Sequence, residues 1–166
     1  MTMSLFLRNL VFTLVVPASA GVYVPLLLAR GSSQKSGVAM LAALVLFVIG
    51  AGLYLSSVWN FGARGRGTPL PIDAPKELVI RGPYRHTRNP MYVGLLSALL
   101  GWLVLFQTGI LAAYLLVGSV AVYLFVLGYE EPHLRELFGA QYDAYKSRVP
   151  RWLPRFPRRL NSRGHS

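Results

Sequence analysis

The chain has 166 residues, of which 54% are hydrophobic and 14% charged, a balance too apolar for an ordinary soluble domain. It points to an all-α integral membrane bundle in which residues 1–166 form a single domain. The formal charge is +11 and cysteine is absent, which excludes a disulfide framework and a thiolate metal site. In a membrane protein that excess of Lys and Arg belongs at the flanks of spans, facing anionic lipid. No basic-aromatic groove remains outside those flanks to argue for nucleic acid.

The first apolar run is Leu5 to Ala29, interrupted only by Arg8-Asn9. Within it, Pro17-Ala-Ser-Ala20 has the small residues of a signal-peptide cleavage site. Apolar character nevertheless continues through Leu28, so a retained spanning helix over 5–29 is expected, kinked or broken near Pro17 or Pro25. After the polar turn Arg30 to Ser36, a second span covers 37–59, with Gly50 and Gly52 in its middle as packing residues and Trp59 at the interface.

Residues 60–89 form a connection long enough to be functional. Its first half is rich in Gly, Arg and Pro; its second half, from Lys76, carries the alternating apolar residues Leu78 and Ile80. A third span follows over 90–106, with Pro90 suited to a first helical turn. Gln107-Thr-Gly109 is an uncharged turn, and the fourth span covers 110–129. Beyond it, Leu134, Leu137, Phe138, Tyr142 and Tyr145 recur at helical spacing, predicting an amphipathic helix over 130–147. Arg135, Glu136, Lys146 and Arg148 read as its solvated face. The basic, Pro-rich tail, with Trp152 and Phe156 between arginines, suits a strap on the membrane surface.

With four spans, every Lys and Arg except Arg30 and Lys35 lies on one side. The positive-inside rule makes that side cytoplasmic and puts both termini there. The 60–89 loop and the segment after 130 then face each other at one membrane surface. Glu130-Glu131 follows directly on an uncharged span, where carboxylates are costly unless paired or wetted. They serve either as the acidic first turn of the next helix, stabilised by its dipole, or as half of a site with Arg81, Arg85 and Arg88. The second arrangement makes a pocket of both charge signs with Tyr84 and Tyr92 over it. Such a pocket suits a zwitterionic ligand with an aromatic part.

The run G-P-Y-R-H-T-R-N-P-M-Y-V-G (82–94) is followed after two spans by E-E-P-H-L-R-E-L-F-G-A-Q-Y-D-A-Y-K-S-R-V-P (130–150). Together they resemble the isoprenylcysteine carboxyl methyltransferase and phospholipid methyltransferase group, integral membrane enzymes that use S-adenosyl-L-methionine. The resemblance runs from Lys76 to Pro150. It implies that Lys76, Glu77, Leu78 and Val79 line the cofactor, largely through their backbone. It further implies that Gly82, Tyr84, Arg88, Asn89, Pro90, Met91 and Tyr92 contact the cofactor, and that Glu130 holds its amino-acid or ribose end. Two departures stand out. Asn89 replaces the family's His, so hydrogen bonding survives but charge and basicity do not. Val126 stands where the prenylcysteine enzymes carry an Arg for the substrate carboxylate. The implied acceptor is a lipophilic molecule or lipid entering from the bilayer, with Glu131 or His133 as a proton relay if it is an amine.

His86 and His133 have no partner at metal-ligand spacing, so no metal is expected. Two other readings remain open on sequence alone. One is a sterol-reductase-like membrane enzyme using NADPH, with Arg64, Arg66 and Arg81 on the extra phosphates. The other is a non-catalytic membrane scaffold of the same fold. Oligomeric state has no signature, because Gly50 and Gly52 suit packing within or between chains.

Overall fold

The computed structural model describes residue 15, residues 17–60 and residues 77–153. The start of the first expected span, residues 61–76 with Lys76, and the tail beyond Leu153 lie outside the described residues. Every regular element among those described is helical: α1 (Ser19–Leu28), α2 (Val38–Asn60), a short 3-10 turn (Gly82–Arg85), α3 (Pro90–Phe106), α4 (Gly109–Phe138) and α5 (Ala140–Arg148). α2 and α4 are long and apolar enough to cross a membrane, whereas α1 and α3 are shorter apolar helices. Large apolar side chains stand exposed along α2 (Leu41, Leu44, Val48, Leu55) and α4 (Leu116, Val117, Val120, Leu124). Exposure on this scale fits contact with lipid rather than water.

Where a kink or break is expected near Pro17 or Pro25, the helix runs through Pro25 without a break and carries a distorted turn just before it. Proline has no N–H, so carbonyls in the preceding turn lose their acceptor role. The chain answers with a widened turn at Ser19–Tyr23, in which the Val24 N–H bonds back to Ser19 O. Two carbonyls are thereby released, and side chains from other helices take them: Trp102 Nε1 donates to Gly21 O at 2.8 Å and the Tyr114 hydroxyl to Ala20 O at 2.9 Å. These bonds fasten α1 to α3 and α4.

α2 and α3 pack along much of their length because their backbones meet at Gly50 and Gly94. A Cβ on Gly50 would lie 2.7 Å from Gly94 O, and one on Gly94 would lie 2.7 Å from Gly50 O and 2.9 Å from Tyr54 N. Small residues at a helix crossing permit this approach. Gly52 has nothing within 4 Å of its hypothetical Cβ, so of the two glycines expected to pack, only Gly50 does so within the described chain. α3 ends at Gln107, which adopts a left-handed conformation (φ 53°) and bonds its N–H to Leu103 O. Nearby Ala29, Phe106 and Leu111 form one apolar cluster.

α4 differs from expectation at its C-terminal end. Instead of stopping at Tyr129, it continues unbroken to Phe138. Its 30 residues span about 45 Å at ~1.5 Å each, against a hydrocarbon thickness of ~30 Å. The helix is thus longer than a crossing needs by about ten residues, and its charged end runs from Glu130 to Phe138. A second widened turn at Val126–Glu130 leads into this end, with the Glu131 N–H bonded to Val126 O. The chain then reverses at Gly139 (φ 49°) into α5. A second apolar cluster of Tyr142, Tyr145 and Val149, with Leu78, Leu134 and Phe138, ties α5 to α4 and to the loop before α3.

Candidate active site

The site lies where the loop before α3, the end of α4 and the segment after α5 meet. Gly82 opens the short 3-10 turn at φ 60°, and the Asn60 side chain at the end of α2 occupies the place a Cβ would take. The turn presents Tyr84, which is buried and whose carbonyl accepts the Tyr145 hydroxyl at 2.7 Å. Pro90 then starts α3 fully buried, and Asn89 precedes it.

The two glutamates separate in role. Glu131 is buried and sits at the centre of a cationic cluster. Arg88 Nη1 bonds to its Oε1 at 2.8 Å, Arg151 Nε to Oε1 at 2.6 Å and Arg151 Nη2 to Oε2 at 3.0 Å. Lys146 Nζ lies 3.5 Å from Oε2. Burial by itself would push the Glu131 carboxyl up. The Arg151 hydrogen bonds and the charges of Arg88, Arg151 and Lys146 outweigh it and hold the carboxyl below its ordinary value. A carboxylate held this way is a weak base, so the proton relay expected of Glu131 gives way to an anchor. Lys146 remains exposed, as expected of the solvated face, while its ammonium also reaches this anchor, and Arg135 keeps an exposed pairing with Asp143 at 3.2 Å.

Glu130 faces the other way. Its Oε2 accepts the Tyr92 hydroxyl at 2.9 Å. Burial pushes its carboxyl above the ordinary value; the Tyr92 bond opposes that shift and the Glu131 charge reinforces it. Tyr54 of α2 also belongs to this group, since Tyr84 feels Glu130, Tyr92 and Tyr54 together. The Gly50–Gly94 crossing is what brings Tyr54 against the first turns of α3. Three tyrosines and one partly buried carboxyl thus share a small volume at the membrane exit of α4.

The C-terminal segment closes the arrangement. The Arg88 N–H donates to Pro150 O at 2.9 Å, and Arg151 O accepts both the Thr87 hydroxyl at 2.9 Å and Asn89 Nδ2 at 3.1 Å. Asn89 therefore serves as a buried structural donor, a task that its amide performs without charge. Trp152 stacks on Tyr123 of α4, ring centroids 6.5 Å apart.

Several expected residues stand elsewhere or play other parts. Arg81, Arg85 and His86 are exposed, and among the described residues Arg81 and Arg85 form no ion pair; only Arg88 of the three arginines meets a glutamate. His133 stacks on Tyr129 (5.6 Å) and lies 4.0 Å from Glu136, so it joins neither Glu130 nor Glu131. Leu78 packs on the Tyr142 cluster and Val79 is buried, while Glu77 is exposed at the edge. Met91 is partly buried in the first turn of α3. Among the described residues no three His, Cys, Asp or Glu side chains gather as a metal site. Sequence reading did not assign Tyr54, Thr87, Lys146 or Arg151 to the site; Tyr54, Lys146 and Arg151 reach it from other segments, and Thr87, inside the motif, is marked only by its hydrogen bond to Arg151 O. A concavity of about 450 Å³ lined by Leu103, Gln107, Thr108 and Ala112 lies at the α3–α4 turn, at the other end of α3 from the glutamates.

The sequence profile of the phospholipid methyltransferase family matches residues 38–141. That stretch covers more than half of the chain, from α2 to the start of α5, and includes Tyr54, Tyr84, Arg88, Tyr92, Glu130 and Glu131. The chain belongs to the phospholipid methyltransferase family, whose chemistry is methyl transfer and whose members are associated with membranes. No curated protein matches it.

Proposed function

We propose that this protein is a four-span integral membrane methyltransferase that takes its methyl group from S-adenosyl-L-methionine and gives it to a lipophilic acceptor. The observation that carries the proposal is Glu130: a partly buried carboxyl bonded to Tyr92, with Tyr84 near it and Tyr54 beside both tyrosines. A carboxylate among aromatic rings recognises a cation, and the amino-acid end of this cofactor bears an ammonium beside a sulfonium. The donor set fits the rest of the group as well. Among the described residues Arg88 Nε is buried without a hydrogen-bond partner, and a ligand carboxylate would satisfy a donor that is costly to leave unpaired.

The cofactor, when bound, supplies a methyl already activated by its positive sulfur. The protein's work is then to orient and to keep water out. Glu130 holds the cation, and Tyr92 fixes the carboxylate's direction. Tyr54 and Tyr84 supply apolar faces, and the tight α2–α3 crossing closes the floor. No nucleophilic side chain is needed, in keeping with a chain that has no cysteine. Both termini and the cofactor lie on the cytoplasmic side in this reading. Membrane lipids surround the helices, and the acceptor arrives laterally from the bilayer.

Of the acceptors the family resemblance implies, a lipid amine is favoured over a prenylcysteine carboxylate. Val126, fully buried, occupies the position at which a carboxylate-binding Arg is expected, so the acceptor side offers no cation there. The experiment is methyl transfer from labelled S-adenosyl-L-methionine to vesicles containing an amine-headgroup phospholipid, with a prenylcysteine analogue in parallel. Label in the lipid amine supports the proposal. Label only in the prenyl carboxylate would reassign the acceptor, and label in neither would overturn the activity.

A further inference from the structure

Arg151 lies outside the matched residues 38–141, yet it makes the most extensive set of contacts around Glu131. Its guanidinium meets both oxygens of Glu131, at 2.6 and 3.0 Å. Its carbonyl accepts from Thr87 and Asn89, at 2.9 and 3.1 Å. The preceding carbonyl, Pro150 O, accepts the Arg88 N–H. One residue therefore grips α4 by its side chain and the entry to α3 by its backbone.

The geometry points to Arg151 as a positioning residue: it clasps the C-terminal segment over the site and, through Glu131, sets the direction of Glu130. The inference rests on the proposed cofactor reading. The neighbouring glutamate is the link. Glu130 and Glu131 sit at the end of the widened turn Val126–Glu130, the kind of local departure from α-helix that is frequent at functional sites. The helix sets only where each side chain starts, and the direction of each carboxylate is set by its partners. Arg88 and Arg151 fix it by holding Glu131, and Glu130 is then turned to Tyr92 and the tyrosine cluster. The fork geometry matters, because two parallel N–H bonds set an angle that a single ammonium does not. A clasp built this way also explains why Asn89 and Thr87 are buried: both aim their side chains at the carbonyl of the residue that holds the helix.

The test uses the full-length protein in detergent and two readouts. The first is affinity for S-adenosylhomocysteine by calorimetry in wild type, R151K, R151A, E131Q and the R151A/E131Q double variant. Arg151→Ala is expected to weaken binding by roughly tenfold, the effect of about 1.4 kcal/mol, and Arg151→Lys to restore only part. The double variant is expected to lose no more than the worse single, since both act through one link. The second readout is amide hydrogen exchange. Exchange at the Arg88 N–H should quicken in R151A while amides around the Gly50–Gly94 crossing keep their protection. Unchanged exchange at Arg88 would overturn the clasp. Faster exchange with unchanged ligand affinity, or full rescue by lysine, would overturn the positioning role. A wild-type protein that binds no S-adenosylhomocysteine would instead remove the cofactor reading, and with it the role toward Glu130, leaving the exchange data to decide the clasp alone.

Discussion

Glu130 and Glu131 are adjacent in sequence and opposite in electrostatic setting, and that contrast makes them separable by experiment. Glu131→Ala leaves Arg88, only 8% exposed at its side chain, without its anion. Breaking a buried pair from one side costs about 3–5 kcal/mol, so a marked fall in thermal stability is expected. Glu130→Gln keeps an acceptor for the Tyr92 hydroxyl and should leave stability nearly unchanged. It removes the charge that holds a ligand ammonium, worth about 1.5–3 kcal/mol, and affinity for S-adenosylhomocysteine should fall about ten- to a hundredfold. Equal stability losses in the two variants would contradict the division of roles.

Acid titration separates them further. The Glu131 pKa lies below its ordinary value of 4.5 in the folded protein. The unfolded chain therefore takes up the proton first, and the pairing's contribution is complete above 4.5 and lost as pH falls through the lowered value. Glu130 is raised above 4.5. Its contribution is present below 4.5 and lost as pH rises through the raised value, unless a cation neutralises the carboxylate. The thermal stabilisation conferred by an ammonium-bearing ligand should accordingly grow as pH rises through that upper window. A ligand increment flat across the acid range would remove Glu130 from the binding site.

At the scale of elements, the α2–α3 crossing is the structural premise of the site. In Gly94→Ala the new methyl would sit against two backbone atoms, Gly50 O and Tyr54 N, which cannot move aside cheaply. A cost of about 1–3 kcal/mol is expected, along with weaker ligand binding as Tyr54 is displaced. Gly52→Ala, with nothing within 4 Å, makes the same helical substitution without the clash and should be close to neutral. Denaturation of both variants in detergent checks the comparison; helix propensity alone favours Ala in both, so a loss in Gly94→Ala equal to that in Gly52→Ala would contradict the contact account.

The helices themselves were legible. Apolar runs and the start at Pro90 located α2 and α3 closely, since both signals are local. What local pattern does not encode is how a helix handles its defects. The widened turn before Pro25 is stabilised by Trp102 and Tyr114, which lie about eighty to ninety residues away in sequence. The continuation of α4 past Glu130 was obscured because charge at that point reads as an end, whereas the pairing of Glu131 lets the helix carry it onward.

For the whole molecule, the charge asymmetry and the two paired motifs foretold which loops would meet, and Arg88 does meet Glu131. The same reasoning overreached with Arg81 and Arg85, because shared sidedness constrains position only to a membrane face. Arg151 escaped notice because its place depends on the reversals at Gly139 and after α5, each set by packing of Tyr142 and Tyr145. The proposed topology puts the α3–α4 turn and α5 on opposite faces of the membrane. A cysteine-free chain makes this directly measurable: Gln107→Cys and Ser147→Cys, both at exposed positions, should label with an impermeant thiol reagent in vesicles of opposite orientation. Labelling of both in the same vesicles would refute the four-span arrangement.

The central claim is that the Glu130 cluster holds S-adenosyl-L-methionine, and calorimetric titration of the purified protein with S-adenosylhomocysteine, with NADPH in parallel, tests it most directly. The account predicts saturable binding of S-adenosylhomocysteine, sharply weakened in Glu130→Gln and in Tyr92→Ala, and no comparable binding of NADPH. Binding of NADPH alone, or of neither by a folded sample, would contradict it.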